Sequence, residues 1–143
     1  MTAAGLFSVC NTLVLPAWLL LLVAPRWKHT STAILITVGL LSGAYLYLLL
    51  GHWGEAQGGF GTLDDVAKLF ANPFVLCAGW IHYLAFDLFT GSWEARDAAR
   101  TGLPRIALIP CLVLTFLFGP VGLGLYLLLR ALIKRRFRLE ETA

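Results

Sequence analysis

Charge is what this sequence is shortest of. Asp, Glu, Lys and Arg make up 13% of its 143 residues, about half the share in an average soluble domain, while 59% are hydrophobic. A soluble core cannot absorb that much apolar surface at this length, and there is no room for a second large domain. The three cysteines, Cys10, Cys77 and Cys111, fall in three different apolar segments without paired spacing. That argues against a disulfide framework and against a zinc site, and leaves them as small buried hydrophobes. No glycine-rich phosphate loop or nucleophile elbow appears, so soluble nucleotide chemistry has no support. No basic residue precedes Leu6, whereas a cleaved signal peptide opens with a positive region, so the first apolar segment is expected to remain in the mature chain.

What the sequence does contain reads as an all-α membrane protein, a single integral membrane domain over 1–143. Crossing a bilayer takes about 20 apolar residues and tolerates about 17. The segments 4–24, 33–50, 73–89 and 106–129 meet that length, which predicts a bundle of four transmembrane helices. Asn72-Pro73 is a good start for the third, with Asn as cap and Pro at the first helical position. Gly39, Gly43, Tyr47 and Gly51 recur at helical spacing in the second and predict close helix packing there. Pro16, Pro110 and Gly119-Pro120 interrupt the first and fourth spans, either as plain packing kinks or as openings for a cavity. Between the second and third spans, Thr62 caps a short amphipathic helix, with Leu63, Val66, Ala67 and Phe70 on one face and Asp64, Asp65 and Lys68 on the other. It is expected to lie at the membrane interface.

Net charge is +3, and much of the basic excess sits in the tail 130–143, at Arg130, Lys134, Arg135, Arg136 and Arg138. A basic run directly after an apolar span meets anionic lipid headgroups rather than nucleic acid. Orientation is tied: Arg26 and Lys28 in one loop and Arg96, Arg100 and Arg105 in another favour one side, and four spans put the basic tail on the opposite side, against the positive-inside rule. Whether the protein is a homo-oligomer is open.

Two ionisable residues stand inside the third span. His82 and Asp87 are costly in lipid without a partner or a task, which makes them the candidate catalytic residues. They lie about 140° apart around a regular helix, with Asp87 stacked below Tyr83 and Trp80. Imidazole and carboxylate in a low-dielectric site can serve as general acid and base. Trp80, Tyr83, Phe86 and Phe89 are the candidate substrate-binding residues, lining an apolar slot. A weaker alternative is a non-haem iron or other divalent metal held by His52, Asp64, His82 and Asp87, although no HxxxH or ExxH spacing supports it. The plainer alternatives are that His82 ties helices together by a hydrogen bond and that Asp87 pairs with Arg96, Arg100 or Arg105. Glu94, Arg96, Asp97 and Arg100 read as a solvated, self-paired charge cluster, and Asn11 as structural.

The run from Trp80 to Phe89, then Trp93-Glu94-Ala95-Arg96-Asp97-Ala98, Ile109-Pro110-Cys111 and the stretch from Leu114 to Leu123 resemble the abscisic-acid-deficient-four-like family of small membrane proteins. The resemblance reaches back to Leu15-Pro16 and Pro25-Arg26-Trp27. It implies a four-span protein of carotenoid or related isoprenoid metabolism, since plant members are associated with neoxanthin synthesis. Making neoxanthin from violaxanthin opens an epoxide and forms an allene without net redox change, which needs an acid at the epoxide oxygen and a base at a neighbouring carbon. His82 and Asp87 lie in the matching run. The resulting expectation is a polyene isomerase without an organic cofactor, with a metal-dependent carotenoid oxygenase or a carotenoid-binding scaffold as alternatives. The first span begins almost at Met1, leaving no plastid-targeting extension, so a bacterial inner membrane is the expected location.

Overall fold

The computed structural model describes residues 1–134, whose regular elements are helices, with no strand among them. Arg135, Arg136 and Arg138 of the basic tail lie outside the described residues. Helix α1 runs Ala3–Val23, α2 Thr30–His52, α3 Leu63–Phe70, α4 Pro73–Thr101, α5 Arg105–Phe118 and α6 Pro120–Lys134, with a single 3-10 turn at Trp53–Glu55 after α2. Three of these, α1, α2 joined to its 3-10 turn, and α4, are long and apolar enough to cross a membrane.

Helix α4 is the axis of the molecule, in contact with α1, α2, α3, α5 and α6. Its start is the one expected: Asn72 Oδ1 accepts the backbone N–H groups of Phe74 and Val75 at 2.9 and 3.4 Å, and Pro73 stands in the first turn where no N–H is needed. Its end is not. The helix continues through the segment taken for a charged loop and stops at Gly102, whose φ of 71° suits a residue without Cβ. Over 29 residues it is about 43 Å long, and helical context rather than local polarity decides its length.

The expected fourth span is corrected. Gly119, at φ 44° and ψ −94°, breaks 106–129 into two helices of 14 and 15 residues, each about 21 to 23 Å long and short of the roughly 30 Å apolar core. Helix α6 turns back along α5. A methyl group at Gly122 would overlap Thr115 N and Oγ1, so only glycine lets the two helices touch there. Because the pair is a hairpin, Arg130 on α6 returns to Asp97 near the end of α4.

The packing expected of the second span is corrected as well. A methyl at Gly39, Gly43 or Gly51 would meet nothing within 4 Å, so that stripe is not a packing seam within the chain. The residues of α2 that are buried are Thr30, Ile34, Thr37, Leu41 and Leu48, an apolar or hydroxyl stripe about 130° around the helix from it. In α3 the cap is as expected, with Asp65 N–H donating to Thr62 Oγ1 at 3.1 Å. Yet Leu69 is its buried residue, Phe70 packs against Gly79 of α4, and Leu63 is 85% exposed.

Candidate functional site

The polar groups of α4 lie on one long face. Starting from Asp87, that face carries Glu94 two turns on and Asp97 nearly one turn further, all turned toward the α5–α6 hairpin. Asp87 sits at the hairpin tip, where a methyl group on Gly119 would lie 2.7 Å from Oδ1. The carboxyl therefore occupies space that any other residue at position 119 would claim. Tyr83 stands one turn earlier on the same helix. Among the described residues Asp87 Oδ2 is shielded from solvent and has no hydrogen-bond partner.

Glu94 is fully buried. Its Oε1 accepts a hydrogen bond from Thr115 Oγ1 of α5 at 2.9 Å, whereas Oε2, like Asp87 Oδ2, has no partner among the described residues. Asp97 has a different environment. It accepts from Arg100 at 2.6 Å, from Arg130 Nε at 2.7 Å and from the Tyr126 hydroxyl at 2.5 Å, and all of α6 is thereby fastened to α4. The carboxylate with three donors is a clasp, and the two with an unpartnered oxygen are candidates for chemistry, because a buried polar atom left unpaired costs about 1–3 kcal/mol that a structural residue would not carry.

Two apolar clefts lie on either side of α4 near the hairpin, and Asp87 lines neither of them. One, of about 250 Å³, is lined by Asn11, Leu15, Trp80, Tyr83, Phe116 and Leu117 among others, between α1, α4 and the end of α5. Asn11 is fixed there by the indole N–H of Trp80, donated to its Oδ1 at 3.0 Å. The other, of about 270 Å³, lies between α4 and α6 and is lined by Phe89, Thr90, Trp93, Leu123 and Leu127. Trp80 and Tyr83 on one side and Phe89 on the other thus belong to separate clefts rather than one slot, since residues nine apart on a helix lie half a turn apart in direction.

The structure does not bring His82 to Asp87. The His82 ring is exposed on another flank of α4, stacked on Phe86 at 4.4 Å and 5.7 Å from the Tyr45 ring of α2. Asp87 is not an ion-pair partner of Arg100, which bonds Asp97, or of Arg105, which donates to the Leu22 and Val23 carbonyls at 2.7 Å. The alternative metal ligands are not assembled either. His52 contacts Glu55 at 3.0 Å and stacks on Phe74 at 3.8 Å, Asp64 is exposed on α3, and no three His, Cys, Asp or Glu side chains converge among the described residues.

Glu94 and Asp97 are the residues that the sequence reading missed. Local polarity made them a solvated cluster, yet Glu94 and Asp97 are buried while Arg96 and Arg100 are the exposed members. The available signal was spacing: 87, 94, 97 and 101 share one helical face once the third span is allowed to run past Phe89.

Residues 5–126 match the family model described as ABA DEFICIENT 4-like. Protein ABA DEFICIENT 4, chloroplastic, from Arabidopsis thaliana is 30% identical over 147 residues, covering 95% of this chain. The chain spans 65% of the length of that relative. No solved structure matches this chain.

Proposed function

Because the chain belongs to the ABA DEFICIENT 4-like family, we propose that it is a membrane-embedded enzyme of carotenoid metabolism that isomerises an epoxidised polyene by acid–base chemistry, without an organic cofactor. The observation that carries this reading is the Asp87 carboxyl, with an oxygen that has no partner among the described residues, at a hairpin tip near two aromatic-lined clefts. A polyene is long, apolar and dissolved in lipid, and clefts of this lining suit it.

Asp87 in its acid form gives its proton to the epoxide oxygen as the C–O bond breaks, and the oxygen becomes a hydroxyl. The carboxylate so formed takes a proton from the neighbouring carbon, and the electron pair of that C–H bond becomes the new double bond. One proton is given and one returned, with no oxidant or reductant. Tyr83, one turn before Asp87, forms the adjoining wall together with Trp80 and Asn11. His82 lies outside this arrangement, about 140° away around α4.

Expression in a host that accumulates epoxidised carotenoids, followed by pigment profiling, tests the reading. The expected result is a new pigment of unchanged mass. A pigment that co-purifies chemically unchanged would overturn the enzymatic reading in favour of a carrier, and a cleaved or oxygenated pigment together with stoichiometric iron would overturn it in favour of an oxygenase.

A further inference from the structure

Asn11 is a polar side chain in the middle of an apolar span, about 12 Å along α1 from Ala3 and about 18 Å from Val23. That places it well inside a hydrocarbon core of about 30 Å. Its Oδ1 accepts the indole N–H of Trp80 at 3.0 Å. An indole nitrogen can only donate, so this bond fixes the amide with its oxygen toward Trp80 and its nitrogen away from it. A tether between α1 and α4 is complete with the oxygen alone. The Nδ2 group still carries its N–H donors, which have no partner among the described residues, and lipid tails cannot accept them.

The amide lines a cavity. It belongs to the cleft of about 250 Å³ that also has Leu15, Trp80, Tyr83, Phe116 and Leu117 in its wall. A second cavity, of about 400 Å³, continues along the same seam between α1 and α4, walled by Ala3, Phe7, Pro73, Leu76 and Trp80 among others. Trp80 belongs to both, held by its bond to Asn11 and by the rings of Phe7 at 5.5 Å and Tyr83 at 5.2 Å. From Ala3 to Leu15 the seam is about 18 Å long, walled by apolar and aromatic side chains apart from this amide. Asn11 stands at the end nearer the hairpin, because Phe116 and Leu117 precede the Gly119 turn that presses on Asp87.

We propose that Asn11 is the residue that selects an oxygenated polyene: its Nδ2 donates to an oxygen on the end ring of the ligand, while the hydrocarbon chain runs along the α1–α4 seam past Trp80. The proposal rests on the polyene reading and deepens it, since it names the group that recognises the ring. A seam of hydrocarbon lining takes any long polyene, oxygenated or not. Discrimination needs a donor that a hydrocarbon leaves unpaired, and such a site rejects the ligand that lacks the acceptor. Asn11 holds the ring and transfers no proton, because an amide does not titrate. The bond from Trp80 keeps the amide from turning, so the donor stays directed away from the tether.

The test is polyene binding to the purified full-length protein in lipid nanodiscs, read by quenching of tryptophan fluorescence. The probes share one chain length: a hydrocarbon polyene, the same chain with hydroxylated end rings, and the same chain with epoxidised end rings. Asn11→Leu, which is close to asparagine in size, is expected to weaken binding of an oxygenated probe about 3- to 10-fold relative to the hydrocarbon, the worth of one neutral hydrogen bond. A mere tether would weaken all the probes alike. The probe that loses its advantage, hydroxylated or epoxidised, identifies the oxygen. A ratio of affinities that is the same in wild type and Asn11→Leu would overturn the proposal. A second measurement needs the wild type alone. Asn11 and Asn72 are the asparagines of the sequence, and Asn72 is engaged in capping α4. With isotope-labelled asparagine, the Asn11 side-chain amide resonance is expected to move further with an oxygenated probe than with the hydrocarbon, against Asn72 as the fixed reference. Equal shifts with every probe would overturn the proposal. If the wild type isomerises no polyene but Asn11→Leu changes the ratio, the enzymatic reading fails and this one stands. If it isomerises while the ratio is unchanged, the reverse holds.

Discussion

The geometry separates two residues that stand five apart in the sequence. Asp87 has an oxygen without a partner among the described residues and lies at the hairpin tip, one turn past Tyr83, whereas the His82 ring is stacked on Phe86 and faces outward. If Asp87 gives and takes the proton, Asp87→Asn lowers turnover by the 10²–10⁴-fold that proton transfer contributes, with the protein still folded by thermal melting. His82→Ala, measured in the same pigment assay, is expected to keep turnover within about threefold. The opposite ranking of the two variants would move the chemistry to the flank that faces α2. Asp87 stands out in the sequence because an acid in an apolar segment is rare for a reason: it is expensive. Glu94 does not, because it lies among Arg96, Asp97 and Arg100, and solvation or burial of such a cluster depends on what packs over it.

The α5–α6 hairpin is the element that makes the site. Its Gly119 turn presses on Asp87, Thr115 reaches Glu94, and Tyr126 and Arg130 close on Asp97. Gly119 and Gly102 both have positive φ, at 44° and 71°, which costs a residue with a Cβ about 1–2 kcal/mol. Gly119→Ala and Gly102→Ala are therefore both expected to lower the melting temperature. Only Gly119→Ala should also abolish turnover, since its methyl group would displace the carboxyl 2.7 Å away. Equal activity in the two variants, normalised to folded protein, would show that the tip does not position Asp87. Gly119-Pro120 announced an interruption in the sequence, but a kink and a reversal share those two residues, and what selects reversal is the Gly122 contact with α5 and the clasp on Asp97.

Reversal also settles how charge is distributed over the bundle. Arg105 bonds the last carbonyls of α1, Arg130 returns to Asp97 near the end of α4, and Thr30 donates to Ala24 O at 2.7 Å, so the 24–29 loop, the 102–104 turn and the end of α6 lie at one end. Arg26, Lys28, Arg100, Arg105 and Arg130 gather there, while Glu55, Asp64 and Asp65 occur with Lys68 in the segment between α2 and α4 at the other. The conflict between the basic tail and the basic loops arose from counting a fourth crossing, and it disappears with three crossings and a hairpin. With the native cysteines replaced, single cysteines at Lys28 and Gln57 are expected to react with an impermeant reagent from opposite sides of a sealed vesicle, Lys28 from the cytoplasmic one. Labelling of both from the same side would contradict three crossings.

Composition and run length settled the membrane class, the helical content, the starts of α3 and α4 and the suspicion on Asp87, because those follow from solvation and from caps within a few residues of each other. The end of α4, the hairpin, the burial of Glu94 and the separation of His82 from Asp87 were decided by tertiary contact. In each case the outcome depends on residues far apart in the chain, Gly119 on Asp87, Thr115 on Glu94 and Arg130 on Asp97, and a local window records the polarity of a side chain without recording what is packed against it.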